Sequence, residues 1–224
     1  MAVSVILVKN MSDNVIDIFP TPAIQPEACQ GTKVWLRCDV MSETNHNHSS
    51  VEPAVLLLKH AGLFTRNLLP GPVLDLACGN GRNGIYLATL GIPVVLCDIS
   101  DAVLLRAREL AALKGVSPRF MVLDLEKAGF PTLEESAYGG FLVFRYLHRP
   151  LMPVIKRAVQ SGGVLVYETF TTDQVRYGKP TNPDFLLKPG ELRRWFSDWE
   201  ILYDFEGIQP DPERAVAQIV CRKP

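Results

Sequence analysis

Runs of strand length and segments of helical spacing take turns along most of this chain. "EPAVLLLKHAGLF" (52–64) has helical spacing, with Pro53 near its start, where the missing N–H leaves no bond unmade. "LPGP" breaks it. "VLDLA" (73–77) predicts a buried strand, "RNGIYLATLG" (82–91) a helix closing on Gly91, and "PVVLCDI" (93–99) a second strand. "DAVLLRARELAALKG" (101–115) predicts an amphipathic helix closing on Gly115, and "RFMVLDL" (119–125) a third strand. "YGGFLVFRYL" (138–147) holds the fourth, "PLMPVIKRAVQSGG" (150–163) is helix then turn, and "VLVYETF" (164–170) is the fifth strand. Such alternation with short links predicts an α/β fold, a mainly parallel sheet with helices on both faces. The tail changes rhythm. A helix over "KPGELRRWF" (188–196) is followed by "WEILYDFEG" and "AVAQIVCRK", two strand-like runs with only a loop between them. Strands joined without a helix are usually antiparallel neighbours, so the sheet is expected to end in an antiparallel pair.

The first fifty residues stand apart. "VSVILV", "NVIDIF" and "KVWLRCDV" suggest short strands, and "MSETNHNHSS" (41–50) is a polar linker. The expected division is an accessory segment over 1–50 and the α/β domain over 51–224.

Composition narrows the class without naming a function. With 47% hydrophobic and 21% charged residues the chain reads as globular. A net charge of -1 gives no ground for tight nucleic-acid binding. Five cysteines without a C-x-x-C pair read as reduced thiols in a cytoplasmic protein, and neither a secretory leader nor a membrane span is expected. "HNH" at 46–48 has no further ligands near it in the sequence, so no metal is expected.

Chemistry concentrates in "VLDLACGNGRNG" (73–84). Gly79, Gly81 and Gly84 form a G-x-G-x-x-G turn between a strand and a helix, where open α/β sheets bind ligands. A dinucleotide would bring a diphosphate to the helix start, beside the carboxylate of Asp75. S-adenosylmethionine carries a sulfonium and an ammonium instead, which a carboxylate favours. Asp98 ends the second strand, where it can accept from ribose hydroxyls, and Asp124 ends the third, where it can accept from an adenine amino group. Acids at the ends of three successive strands favour the sulfonium cofactor, with a nicotinamide oxidoreductase as the alternative.

"VLDLACGNGRNGIYLA", "LCDIS" and "VLDLE" resemble the first three motifs of the class I S-adenosylmethionine-dependent methyltransferases, and "CGNGRNGIYLA" is similar to the tellurite-resistance and thiopurine-type small-molecule branch. The resemblance covers about residues 53–224. It implies a Rossmann-like seven-stranded sheet with an antiparallel last strand, S-adenosyl-L-methionine as methyl donor and S-adenosyl-L-homocysteine as product. It further implies a cofactor site of Asp75, Ala77, Cys78, Gly79, Asn80, Gly81, Asp98, Ile99, Asp124, Leu125 and Phe144. Ala77 departs from the pattern, which usually has a glycine there.

Methyl transfer from sulfur is an in-line displacement, so alignment is the main task, and it can contribute about 7–11 kcal/mol. The loop after the fourth strand, "FRYLHRP", is expected to face the methyl group, with Arg145, Tyr146 and His148 as catalytic candidates. Arginines there suit an anionic acceptor, with Arg149, Glu168, Arg176, Tyr177 and Lys179 as candidate substrate contacts. The long stretch 169–192 has the composition of a binding loop or lid. Two other readings stand: an RNA-modifying methyltransferase, and a non-catalytic module that binds S-adenosylmethionine. Oligomeric state is not legible.

Overall fold

The structure is a computed structural model, and it describes residues 52–65, 67–127 and 133–224. The expected accessory segment 1–50, with Cys29, Cys38 and the "HNH" triplet, lies outside the described residues. Seven strands form one sheet in the order β3-β2-β1-β4-β5-β7-β6. They are β1 (Val73–Leu76), β2 (Val94–Asp98), β3 (Arg119–Val122), β4 (Tyr138–Phe144), β5 (Val159–Phe170), β6 (Glu200–Pro210) and β7 (Glu213–Arg222). The first five pair in parallel, and β7 lies antiparallel between β5 and β6. The antiparallel pair predicted for the tail is therefore present. The α-helices are α1 (Val55–His60), α2 (Arg82–Thr89), α3 (Asp101–Leu113), α4 (Met152–Ala158) and α5 (Glu191–Trp195).

Side-chain alternation divides the core into two layers. Leu74, Leu76, Phe141, Val143, Leu165 and Tyr167 bury one face of the sheet with Ile155 of α4 and Leu192 of α5. Val73, Leu142, Val164 and Val166 bury the other with Leu57 of α1, Ile85 of α2 and Leu104 of α3. Each such side chain contributes about 1.5–3 kcal/mol when fully buried.

Several boundaries differ from expectation. The third strand stops at Val122, because the Leu123 N–H bonds the Asp98 carbonyl and the Glu126 N–H bonds Asp124 Oδ1, turning the chain away. The helix predicted over 150–163 ends at Ala158, and Val159 already belongs to β5. The "SGG" expected as a turn is drawn into the sheet by two backbone bonds to Lys223, from the Gly162 N–H and to the Gly163 carbonyl, both 2.9 Å. The first helix is shorter than predicted and passes into a 3-10 turn over Ala61–Leu63.

Two local devices set the site. Helix α3 is capped by Ser100, whose Oγ accepts from the Val103 N–H at 3.3 Å. Helix α2 has no such neighbour in sequence: its cap residue is Gly81, in the left-handed region at φ 75°. The buried carboxylate of Asp75, on β1, takes over by accepting from the Gly84 N–H at 2.8 Å. A helix N-terminus leaves such N–H groups unpaired and favours negative charge, so a strand carboxylate stabilises it. Gly84 permits the approach, since a Cβ there would lie 2.5 Å from Leu96 and 2.9 Å from Asp75 Oδ2. None of the described helices is long and apolar enough to cross a membrane.

Candidate functional site

A cleft of about 440 Å³ opens at the carboxyl ends of β1, β2 and β3, lined by Ala77, Asp98, Ile99, Leu123, Asp124, Leu125, Glu126 and Tyr146. The elements explain the lining. Parallel strands end here together, so residues that follow each strand share one rim. Three of those residues are acids. Ile99 is 61% exposed although it is large and apolar, and Leu123 and Leu125 lie across from it in the lining. A flat aromatic group fits between such apolar walls, with carboxylates at its edge to accept from hydroxyls or an amino group. A somewhat larger hollow, about 470 Å³, lies at the opposite, amino end of the strands, lined by Leu69, Pro70 and Pro93 among others. Its one charged lining residue is Arg119, so it offers little for chemistry.

The glycine turn forms one wall. Asp98 Oδ2 accepts from the Gly79 N–H and Oδ1 from the Ser100 N–H, both at 3.0 Å, which fixes the carboxylate at the rim. Gly79 has φ 57°, and a Cβ built on it would meet nothing within 4 Å, so the backbone here faces open space. Ala77 also lies in the left-handed region, at φ 51°, a conformation that favours glycine. That is the physical reason for glycine as the usual residue there. Asn80 Oδ1 accepts from the Arg82 N–H at 3.4 Å, and the half-buried Cys78 bonds the Gly79 carbonyl. Burial pushes the Cys78 thiol far up, so it is no nucleophile.

Asp75 occupies a different place from the one its position in the motif suggests. It is 2% exposed and sits beneath α2. Burial pushes its carboxyl up to about 7, against the pull of the Gly84 bond and of Arg82, while Asp98 pushes in the same direction as burial. The acids that line the cleft are Asp98, Asp124 and Glu126; Asp75 holds the turn from behind. Phe144 packs against the α1–α3 layer and is not part of the lining.

The loop after β4 reaches over the cleft. The Tyr146 hydroxyl donates to Glu126 Oε1 at 3.3 Å, and the Tyr167 hydroxyl holds the Tyr146 carbonyl at 2.9 Å. Burial and the neighbouring Glu126 push the Tyr146 phenol up, in keeping with a protonated hydroxyl that donates to Glu126. Arg145 has φ 57°, and its N–H bonds the Glu168 carbonyl at 2.8 Å. Backbone held in that region by its surroundings is often found where a side chain must be aimed. His148 is half-buried and starts the 3-10 turn over Arg149–Leu151.

The remaining expected contacts divide. Arg149 is committed to the scaffold: Nε and Nη2 donate to Glu191 at 2.7 and 2.9 Å, Nη1 to the Asp184 carbonyl and Nη2 to the Leu186 carbonyl. Glu168 is buried, with Oε2 accepting from Gln218 Nε2 at 2.5 Å. Arg176 is exposed and lies 3.8 Å from Asp173, and Lys179 is exposed too. The expected lid is pinned at both ends. Buried Gln174 bonds the Lys179 carbonyl and the Ala215 N–H, and Arg149 holds the far end. Sequence reasoning missed Leu123 and Glu126, which adjoin the predicted Asp124 and Leu125. No group of metal-ligating side chains occurs among the described residues.

Residues 43–209 match the family described as tellurite resistance protein TehB. A probable S-adenosyl-L-methionine-dependent methyltransferase TehB of Haemophilus influenzae is 29% identical over 138 residues, covering 59% of this chain and 47% of its own. A tRNA 5-carboxymethoxyuridine methyltransferase of Escherichia coli is 24% identical over 156 residues, covering 58% of this chain and 60% of its own. The crystal structure of TehB from Haemophilus influenzae superposes with a TM-score of 0.60 at 22% identity, covering 75% of this chain and 61% of that one, and supports the fold. The chain spans about half the length of the curated TehB relatives it matches. A tRNA methyltransferase among the relatives removes the ground on which net charge had set nucleic acid aside.

Proposed function

The chain belongs to the TehB family, whose matched region spans residues 43–209, and from that premise we propose that it transfers a methyl group from S-adenosyl-L-methionine to a small anionic acceptor. The observation that carries this reading is the acid-lined cleft beside the glycine turn. Asp98, Asp124 and Glu126 suit a ligand with hydroxyl and amino donors and positive charge, and they repel a diphosphate. Asp98 is the residue for the ribose hydroxyls, with Ile99 and Leu125 against the adenine and Asp124 at its amino edge. The open face of Gly79 admits the methionine part. The cofactor supplies an electrophilic methyl group on a good leaving group.

The protein's own contribution is alignment and charge. The loop after β4 borders the cleft through Tyr146, so an acceptor beside Arg145 and His148 adjoins the methyl donor. The acceptor's lone pair forms the new bond to carbon while the carbon–sulfur pair stays with sulfur. His148 is the described side chain best suited to take a proton if the acceptor must lose one. Arg149 serves by bracing this loop. The test is labelled-methyl transfer with the full chain over a panel of anionic and neutral acceptors. Turnover on anionic members supports the reading, and turnover confined to neutral ones contradicts it.

Methylation of RNA is a second reading, favoured by the tRNA-modifying relative. Phosphate contacts release counterions, so activity on RNA would fall steeply with salt, whereas a small acceptor would show a shallow dependence.

A further inference from the structure

Two side chains from opposite sides of the cofactor cleft meet across it. Glu126 follows β3 and Tyr146 follows β4, and in the sheet those strands have β2 and β1 between them. Neighbouring strands lie about 4.8 Å apart, so β3 and β4 stand about 14 Å from each other. The Tyr146 hydroxyl nevertheless donates to Glu126 Oε1 at 3.3 Å. Both residues line the cleft, together with Ala77, Asp98 and Ile99. Asp98 ends β2, Ile99 comes directly after it, and Ala77 comes directly after β1. The bond therefore spans the very strand ends that carry these cleft residues.

The backbone on each side of the bridge is anchored. The Arg145 N–H bonds the Glu168 carbonyl at 2.8 Å, the hydroxyl of fully buried Tyr167 holds the Tyr146 carbonyl at 2.9 Å, and Leu147 is buried. Opposite, the Leu123 N–H bonds the Asp98 carbonyl, Leu125 is buried, and the Glu126 N–H bonds Asp124 Oδ1 at 2.9 Å. The side chains are freer, Glu126 being exposed and Tyr146 half-buried. Opening the bridge thus takes rotation about side-chain bonds, and no loop has to move. Exposed side chains change rotamer fast, so the hydroxyl–carboxylate bond decides how much of the time the bridge stands open.

We propose that Glu126 and Tyr146 form a strap over the cofactor cleft, which sets how fast the methyl donor enters and how fast its product leaves. This rests on the reading of the cleft as the S-adenosylmethionine site and adds control of passage by two residues to it. The bond joins two protein groups, so breaking it speeds entry and exit alike and leaves affinity nearly unchanged. A residue that holds the cofactor directly behaves otherwise, because its loss speeds exit alone. Product release limits turnover in many enzymes, so such a strap acts on the overall rate without touching the reacting atoms.

The test is surface plasmon resonance of S-adenosylhomocysteine on the immobilised full chain, which reads association and dissociation separately. Tyr146→Phe keeps the ring and removes the donor, Glu126→Ala removes the acceptor, and Glu126→Gln keeps an oxygen that accepts from the hydroxyl. Tyr146→Phe and Glu126→Ala are each expected to raise both rate constants about fivefold, with the dissociation constant within about twofold of wild type. The double variant should be no faster than either single one, since the same bond is lost in all three. Glu126→Gln should stay within about twofold of wild type. Unchanged rates in the single variants overturn the proposal, as do effects that multiply in the double variant. Lost affinity with association unchanged also overturns it, because the residue would then bind the cofactor itself. Should one single variant fail to fold, the other decides by the same readings. Wild type that fails to bind S-adenosylhomocysteine at all would instead refute the methyl-donor reading, a distinct failure.

Discussion

The two halves of the sheet's carboxyl edge carry opposite charge. Over β1 to β3 the rim holds Asp98, Asp124 and Glu126 around an apolar slot. Over β4, β5 and β7 stand Arg145, Glu168 and Arg214, with Arg82 at the start of α2. On the proposed reading the first half takes the cation-bearing cofactor and the second the anionic acceptor. Fields of opposite sign side by side would bring the two reactants to one boundary without a dedicated lid.

The halves differ also in construction. The acidic half is made of residues that end a strand or closely follow one, each within one strand–turn unit. The basic half is assembled across the whole domain. Several substitutions would break or sharpen this contrast.

The largest effect is expected at the seam. Asp75 lies under α2, between Arg82 and Asp98, with its carboxyl pushed from 3.8 up to about 7, chiefly by burial. A raised carboxyl pKa gives stability that is complete below about pH 4 and lost as pH rises through about 7. Asp75→Asn keeps an acceptor for the Gly84 N–H and cannot ionise. The difference in unfolding free energy between about pH 4 and about pH 8 should shrink by on the order of 4 kcal/mol in the variant, read from denaturant midpoints. The same slope in both proteins would show that Asp75 is ionised throughout.

Next comes the arginine that does not belong to the basic half. Arg149→Ala strips four hydrogen bonds from the Glu191 carboxylate and the 184–186 carbonyls. About 2–3 kcal/mol of stability should go with them. S-adenosylhomocysteine affinity at constant temperature should hold if the fold is kept. A variant of wild-type stability that loses methyl transfer would make Arg149 a substrate contact.

In the acidic half, Asp98→Ala is expected to cost about 1.5 kcal/mol or more of S-adenosylhomocysteine affinity, because it leaves ribose hydroxyls without an acceptor. Unchanged affinity would mean the ribose lies elsewhere. The smallest effect belongs to the turn. Ala77→Gly relieves a left-handed alanine and should raise the unfolding free energy by no more than about 1 kcal/mol, read from denaturant unfolding, part of the relief being offset by the freer unfolded chain. A clear drop in stability would mean that the Ala77 methyl packs well enough to outweigh its backbone strain.

Construction also decides what the sequence reveals. The acidic half was legible because strand, glycine turn, helix and strand-end acid are neighbours in the chain. The antiparallel tail was legible from two β-rich runs with no helix between them. Strand ends were less so. Val159 falls in a stretch that reads as helix then turn, whereas its pairing with Tyr138 places it in β5. The burial of Asp75 beneath α2 was not legible, since strand alternation alone does not say which face a helix will cover. Arg149 and Glu191 are 42 residues apart, and no local pattern links them. The pairing of Glu168 with Gln218 was invisible for the same reason, as it depends on β7 inserting between β5 and β6.

Calorimetry on the full chain with S-adenosylmethionine and NAD tests the division of charge most directly. The acidic rim predicts one-to-one binding of the methyl donor and no detectable heat from the dinucleotide. NAD bound in the cleft, with the methyl donor excluded, would contradict it.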